Sequence, residues 1–391
     1  MAGVCCRSWA GLPKGGAGFR LLAPSALRAV RPFSLSARAA SSSSSSAKAR
    51  VAVLHQALEP PIINGTRKPM KPGGYQDSGA DIAFNLRNSG QHEVLCPVAD
   101  PDPAVQEGWS FPDTEAGILA AVDGGATHLW ANTILFASHP LQTSARLTPV
   151  ADTLRVVGQG PLVVDQYDDK DYVNTYLRGL GDAGRFTLPR AWSVPASLAG
   201  SALQDTLAAV PQYPVVAKPA RGRGSYGVKV CRTPAELDAH VQWLQGQLMS
   251  VIVEEFLAGE EATVTVMPPP ASVDSGSHDY WSLPVAARDP AYARVQRECE
   301  AVARLLGTTA PIRVDVRRFQ DAPGAPFALF DINMKPNMTG PGRPGRADQA
   351  SLTLLAAAAL GWDYQRLLAE ILKTAATLKT LRTLQPVTNS A

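Results

Sequence analysis

No stretch of the 391 residues approaches the ~20 consecutive apolar positions that a membrane span needs, and no membrane partner is expected. Cysteine pairs are also missing. Cys5 and Cys6 are adjacent, but Cys96, Cys231 and Cys299 stand far apart without any C-x-x-C spacing, which reads as reduced, mostly buried thiols rather than a disulfide scaffold. Acidic residues are absent until Glu59, while residues 1–50 hold eight basic ones: Arg7, Lys14, Arg20, Arg28, Arg31, Arg38, Lys48 and Arg50. Arg-rich, Ser-rich and acid-free is the composition of an organelle transit peptide. Ala26 to Ala37 can form a basic amphipathic helix, and Arg31-Pro32-Phe33-Ser34 resembles a matrix-protease site cut after Phe33. The expected address is the mitochondrial matrix, the alternative being a basic leader without an address and a cytoplasmic chain. Removing those eight charges from the formal +3 leaves −5, so no basic field for nucleic acid remains.

The six-serine run Ser41 to Ser46 cannot bury a core and marks a linker, which places transit peptide and linker in residues 1–50. From 51 to 164 the pattern alternates: strands at 51–54, 93–98 and 128–135, helices at 77–88 and 113–122. That is a small parallel α/β domain. Its loop 59–74 sits after the first strand, where parallel sheets bind ligands. From 165 to 376 the pattern is α+β, with helices at 169–180, 195–210, 234–247, 291–306, 351–360 and 364–374. Strands are expected at 214–218, 227–230, 251–255, 262–267, 311–319 and 326–332. A central lobe 165–250, a C-terminal lobe 251–376 and a tail 377–391 complete the division.

Three strings in this second unit carry chemistry. Lys218-Pro219-Ala220-Arg221-Gly222-Arg223-Gly224-Ser225-Tyr226-Gly227 is a strand-terminal lysine followed by a glycine loop, whose N–H groups can approach phosphate oxygens. The lysine precedes the glycines, so this is no P-loop. A flexible hairpin with a solvated lysine fits the string equally well. In the late strands, Arg313 and Asp315 share one face at i, i+2, as do Asp331 and Asn333. Two carboxylates and an amide oxygen suit Mg²⁺ (or Mn²⁺) on nucleotide phosphates, the alternative being a solvent-facing Arg–Asp bridge. Glu254-Glu255-Phe256-Leu257 runs from a strand into a turn whose backbone and apolar pair suit adenine, with Glu261 placed for ribose hydroxyls.

In this order and spacing the strings resemble the ATP-grasp superfamily, most closely its D-alanine:D-alanine ligase branch, over about 150–376. The family's D-K pair is matched by Asp169-Lys170, its V-K-P-x-x-x-x-S-S-x-G string by Lys218-Pro219 through Ser225-Tyr226-Gly227, and its E-x-x-L-x-G-x-E-x-T-V by Glu254, Leu257, Gly259, Glu261, Thr263 and Val264. Its R-x-D and E-x-N-x-x-P-G-M-T are matched by Arg313-Val314-Asp315 and by Asp331 to Thr339. The resemblance implies a pre-ATP-grasp domain at 51–164 followed by a two-lobed ATP-grasp domain, with ATP and Mg²⁺ as cofactors. Lys170 and Lys218 would lie on the phosphates and Ser225, Tyr226 and Gly227 in a closing loop. Glu254, Glu255, Phe256, Leu257 and Glu261 would lie around the nucleoside, Asp315, Asp331 and Asn333 on the metal, and Arg313 on the transferred phosphate. Lys218, Ser225 and Arg313 form the catalytic set.

Four departures concern the substrate: Asp331 stands for glutamate, Asn337 for glycine, and the first strand lacks the family's G-G and E-x-x-V-S. The fourth is an apparent insertion, Gly340 to Gln349, before Ser351-Leu352, which is similar to the family's carboxylate-binding S-L. Asn337, Arg343, Arg346 and Ser351 are the substrate candidates. The implied activity is an ADP-producing carboxylate–amine ligase working through an acyl phosphate, on small molecules other than D-alanine, in a homodimer as in many relatives. A non-catalytic ATP-binding regulator and a carboxy-phosphate-forming carboxylase are the competing readings. No Met-Lys-Met biotin string is present.

Overall fold

A computed structural model describes residues 48–388 apart from 64, 69, 181–185, 223, 272–278 and 286–288; the basic leader, Cys5 and Cys6 lie outside them. Three sheets of four or more strands organise the described residues. The first begins with Arg50–His55, whose Val51 to Leu54 are all fully buried, as a continuous apolar run should be in a parallel sheet covered on both faces. It pairs in parallel with Glu93–Leu95 and Phe111–Pro112 along one edge and with His128–Asn132 on the other, which pairs in parallel with Arg155–Val157. Ala376–Thr377 closes the sheet antiparallel to Arg155–Val157.

That last pairing corrects the expected tail at 377–391. Thr377 caps a helix, Leu378–Thr383, whose Leu378 and Leu381 are buried, so the chain returns to its first sheet because these leucines need its core. Gln56 to Leu58 lead into the 59–74 loop. Asp113 pins them, accepting hydrogen bonds from the N–H groups of Ala57 (2.8 Å) and Leu58 (2.9 Å) and from the Thr133 hydroxyl (2.6 Å). Burial alone would raise the Asp113 carboxyl, yet the His139 ring 3.4 Å away and the bonds from Thr133 and Ala57 outweigh it and hold the group below its ordinary value. The loop then folds back on the strand. Gly74, at φ 54°, lies so close that a Cβ would stand 2.0 Å from the Gln56 carbonyl oxygen.

The second sheet is antiparallel, in the order Lys229–Cys231, Val215–Pro219, Val251–Glu255, Ala191–Val194. Helices Gly200–Ala208 and Pro234–Gln245 cover it through Leu203, Leu207, Leu237 and Val241. The expected lobe break at 250/251 therefore falls inside this sheet, because Val251–Glu255 bonds to both of its neighbours. Ala191–Val194 is the edge strand that the sequence does not announce, lying beside a run that reads as helix.

The third sheet, also antiparallel, runs Trp281–Ser282, Glu261–Met267, Ile312–Arg318, Phe327–Asn333. Its period-2 alternation sorts the residues by face. Val264, Val266, Ile312, Val314 and Val316 are buried in a core shared with Val295, Cys299 and Val302 of helix Pro290–Leu305. Thr263, Thr265, Arg313 and Asp315 take the other face.

His128, at the start of its strand, is pushed down to about 4 by burial, with Arg155 and His92 adding to the effect. The fold thus holds it neutral, and unfolding takes up a proton below its ordinary 6.5. Stability should fall as pH drops from about 6.5 towards 4. Urea midpoints compared at about pH 7 and about pH 5 should converge in His128→Gln; an unchanged pH slope in the variant would refute the assignment.

Candidate active site

The polar face of the third sheet faces the second, and its register decides what meets. Arg313 lies opposite Asn333 and Asp315 opposite Asp331, so four side chains that the sequence offers as two pairs form one patch. Arg313 grips Asp315 through two hydrogen bonds, 2.8 and 2.9 Å, and the Asn333 amide donates to the same carboxylate at 3.0 Å. Burial raises the Asp315 carboxyl; Arg313 opposes this and Asp331 adds to it. A bulge lies beside Asp315, because Val316 pairs with Leu329 and leaves Phe330 over. The unpaired Phe330 carbonyl accepts a hydrogen bond from the Lys218 ammonium at 3.0 Å.

Lys218 reaches this point from the end of Val215–Pro219. Its ammonium, almost fully buried, is also 2.7 Å from Glu254, which sits on the neighbouring strand and takes a bond from Asn174. A buried lysine keeps its charge only with such a partner. Lys170 comes from the first turn of helix Lys170–Gly179. Asp169 caps that helix, accepting from the N–H groups of Asp171 (3.0 Å) and Tyr172 (3.2 Å), and is gripped by Arg221. The Lys170 ammonium lies 3.3 Å from Asp331 and bonds the Gly222 carbonyl. Three cations and three carboxylates therefore close on one another: Lys170 with Asp331, Lys218 with Glu254, Arg313 with Asp315.

Among the described residues no group of three or more His, Cys, Asp or Glu could hold a metal unaided. The two aspartates and Asn333 nevertheless fit a hard cation that keeps waters and phosphate oxygens as further ligands. Asp331 Oδ1 is buried and accepts no hydrogen bond, since the Lys170 contact lacks the geometry for one, and the raised Asp315 carboxyl would be relieved by a positive charge.

Other expected residues lie elsewhere. Ser225 and Tyr226 are exposed, with positive φ at Gly224, Ser225 and Gly227 turning the loop outward, and the Tyr226 hydroxyl donates to Gln247 on the neighbouring turn. Glu255 pairs with Arg190 and Glu261 with Arg317, while Arg317 also lies over the Phe256 ring and Leu257 is buried. Asn337 accepts from Thr339, and Ser351 caps helix Leu352–Ala358.

The largest correction concerns Arg343 and Arg346. Both guanidinium groups close on Asp81, a fully buried residue of helix Gln76–Asn88, and Arg343 also donates to the carbonyls of Asp77, Pro103 and Val105. Arg343 is thereby engaged within the protein, and Arg346, 22% exposed, uses its Nε and one terminal nitrogen on Asp81. Asp81 and Asn174 are the contributors that sequence reasoning missed, while Glu254, expected at the nucleoside, is found on the Lys218 ammonium.

With that geometry in view, a family model described as the D-ala D-ala ligase C-terminus matches residues 196–277. The D-alanine–D-alanine ligase of Syntrophotalea carbinolica is 28% identical over 192 residues, 45% of this chain and 59% of the relative. That of Gloeobacter violaceus is 31% identical over 177 residues, 41% and 54% respectively. The chain thus spans little more than half the length of these curated relatives. A solved D-alanine–D-alanine ligase from Bacillus anthracis, complexed with ATP, superposes with a TM-score of 0.55 at 17% identity, over 86% of this chain and 99% of that one. The fold is that of the ATP-grasp ligases. Within that class, the C-terminal region of this chain resembles the D-alanine–D-alanine ligases.

Proposed function

We propose that this protein is an ATP-dependent carboxylate–amine ligase acting through an acyl phosphate. One observation carries the reading: Lys170, Lys218 and Arg313 converge from three separate elements on Asp331, Glu254 and Asp315, so that cations and carboxylates neutralise each other where two antiparallel sheets meet. A nucleotide triphosphate with its metal would exchange partners in that set. Lys170 and Lys218 would turn to the phosphates, while Asp315, Asp331 and Asn333 would hold Mg²⁺, which supplies charge neutralisation on the phosphates when bound.

In the first step a substrate carboxylate oxygen bonds to the γ-phosphorus as the bond to the bridging oxygen breaks and ADP leaves. In the second, an amine nitrogen bonds to the carbonyl carbon as the bond to phosphate breaks, and the amine proton passes to solvent. Arg313, opposite Asn333 and bonded to Asp315, would meet charge on the transferred phosphoryl group and on the later tetrahedral oxyanion. The departures around 55–65 and 337–349, together with the internal pairing of Arg343 and Arg346, support a substrate other than D-alanine.

The test is ADP release from Mg-ATP with carboxylic acids and amines offered singly and in pairs. Release that depends on both is expected, and Arg313→Ala should lower it about 10²-fold. ATP binding without stimulation by any acid would favour a regulatory protein instead.

A further inference from the structure

Helix Lys170–Gly179 carries Lys170, Asn174 and Arg178 at i, i+4 and i+8, a spacing that sets side chains along one face. Lys170 meets Asp331 of the third sheet, and Asn174 meets Glu254 of the second. Arg178, one turn further on, donates to the Pro189 carbonyl at 3.1 Å. Burial pushes its guanidinium down, and the charges of Glu254 and Asp171 oppose the shift. One helix face thus reaches carboxylates on both sheets of the candidate active site.

Asn174 is 3% exposed, in a helix whose Val173, Tyr176 and Leu177 are also buried. An amide in such a place is unfavourable unless it gains a hydrogen bond. The Glu254 carboxylate can only accept, so Asn174 presents its NH₂, which lies 3.3 Å from Oε1. The other oxygen, Oε2, is 2.7 Å from the Lys218 ammonium. Glu254, its side chain 4% exposed, is therefore held by one donor on each oxygen. The two donors would answer a nucleotide differently. Lys218 carries a charge that phosphates attract, and in the ligase reading it turns to them and leaves Oε2. Asn174 has no charge to offer, and its helix is fixed at the start by the Asp169 cap, so it keeps Oε1.

We propose that Asn174 is a positioning residue of the nucleotide site: by holding Glu254 Oε1 it keeps Oε2 aimed, once Lys218 has turned away, as the acceptor for the exocyclic amino group of an adenine-type base. This rests on the ligase reading, and adds to it the residue that orients the base-reading carboxylate. A base with a carbonyl oxygen in place of that amino group would set acceptor against acceptor, and a site built for a donor rejects such a base strongly. The last side-chain torsion of a glutamate is broad, so without the Asn174 amide the carboxylate would turn. Discrimination between bases would then weaken, while the phosphates kept their lysines.

Calorimetric titration of the full-length protein with Mg-ATP and with Mg-ITP, whose base carries the carbonyl, reads this discrimination apart from catalysis. ATP is expected to bind about 10²-fold more tightly than ITP. Asn174→Leu, which keeps the branched shape and donates nothing, should cut that ratio about tenfold. Asn174→Ser, which withdraws the amide with a smaller side chain, serves if Asn174→Leu does not fold. Glu254→Gln should abolish the preference by itself, and adding Asn174→Leu to it should change the ratio less than about twofold, because the two residues act as one unit. A merely structural role for Asn174 would weaken ATP and ITP alike and leave the ratio where it was, which overturns the proposal, as would a parent protein that binds both nucleotides equally. Acid-stimulated ADP release with an unchanged ratio in Asn174→Leu would leave the ligase reading standing alone. A ratio that falls as expected, in a protein whose ADP release no acid stimulates, would uphold Asn174 and overturn the ligase reading. Binding of neither nucleotide would sink both.

Discussion

Asp331→Asn is expected to reduce substrate-dependent ADP release by about 10²–10³-fold while leaving the thermal midpoint within a few degrees of the parent. The substitution keeps the side-chain volume and removes the charge. Asp331 has a buried oxygen that takes no hydrogen bond, and its partner is the Lys170 ammonium 3.3 Å away. Its neighbour Asp315 is held by Arg313 and Asn333, and removing it would also free a half-buried guanidinium. Asp331 is thus the cleaner test of metal ligation. Turnover within threefold of the parent at saturating Mg²⁺ would rule out a metal-ligand role. A rise in the Mg²⁺ concentration needed for half-maximal rate, without loss of the maximum, would show a ligand that is helpful and dispensable.

Asp81→Ala should cost about 3–5 kcal/mol of stability, the range seen when one partner of a buried ion pair is removed and the other is left uncompensated. The Asp81 side chain is fully buried and the Arg343 side chain 2% exposed, so water cannot replace the lost carboxylate. Asp81 also accepts from the Gly340 N–H, and Gly340 packs so tightly that a Cβ would come 2.4 Å from the Tyr364 ring, whose hydroxyl bonds the Met338 carbonyl. This knot fixes the segment from Met338 to Arg343. Chemical denaturation measures the loss. The double substitution Asp81→Ala, Arg343→Met should recover part of it, because it removes the stranded charge as well. A loss below about 1 kcal/mol in the single variant would mean that water or another acceptor reaches Arg343.

Apart from the edge strands Ala191–Val194 and Trp281–Ser282, the strands of the second and third sheets were legible because their signals are local. Apolar residues alternate through Ile312 to Val316, Asp169 opens a helix, and Lys218 ends an apolar strand before glycines. Arg313 with Asp315, and Asp331 with Asn333, were readable as two pairs for the same reason. Their fusion into one patch was not, since it depends on the register between strands and on a bulge at Phe330. Arg343 and Arg346 misled because an arginine in a Gly/Pro loop looks free until its partner is known, and Asp81 is more than 250 residues away in sequence. Likewise Ala376–Thr377 carries too little pattern to be a strand until Arg155–Val157 lies beside it.

The sequence by itself determined the chemistry on offer: which lysines, aspartates and glycines stand at strand ends, and therefore that phosphate and a hard cation are the natural ligands. Only the tertiary structure decided how those groups are paired and which arginines are spent inside the protein. Side-chain type and spacing are properties of neighbours along the chain, whereas pairing, burial and the shape of a void are set by segments that meet only when the sheets have packed.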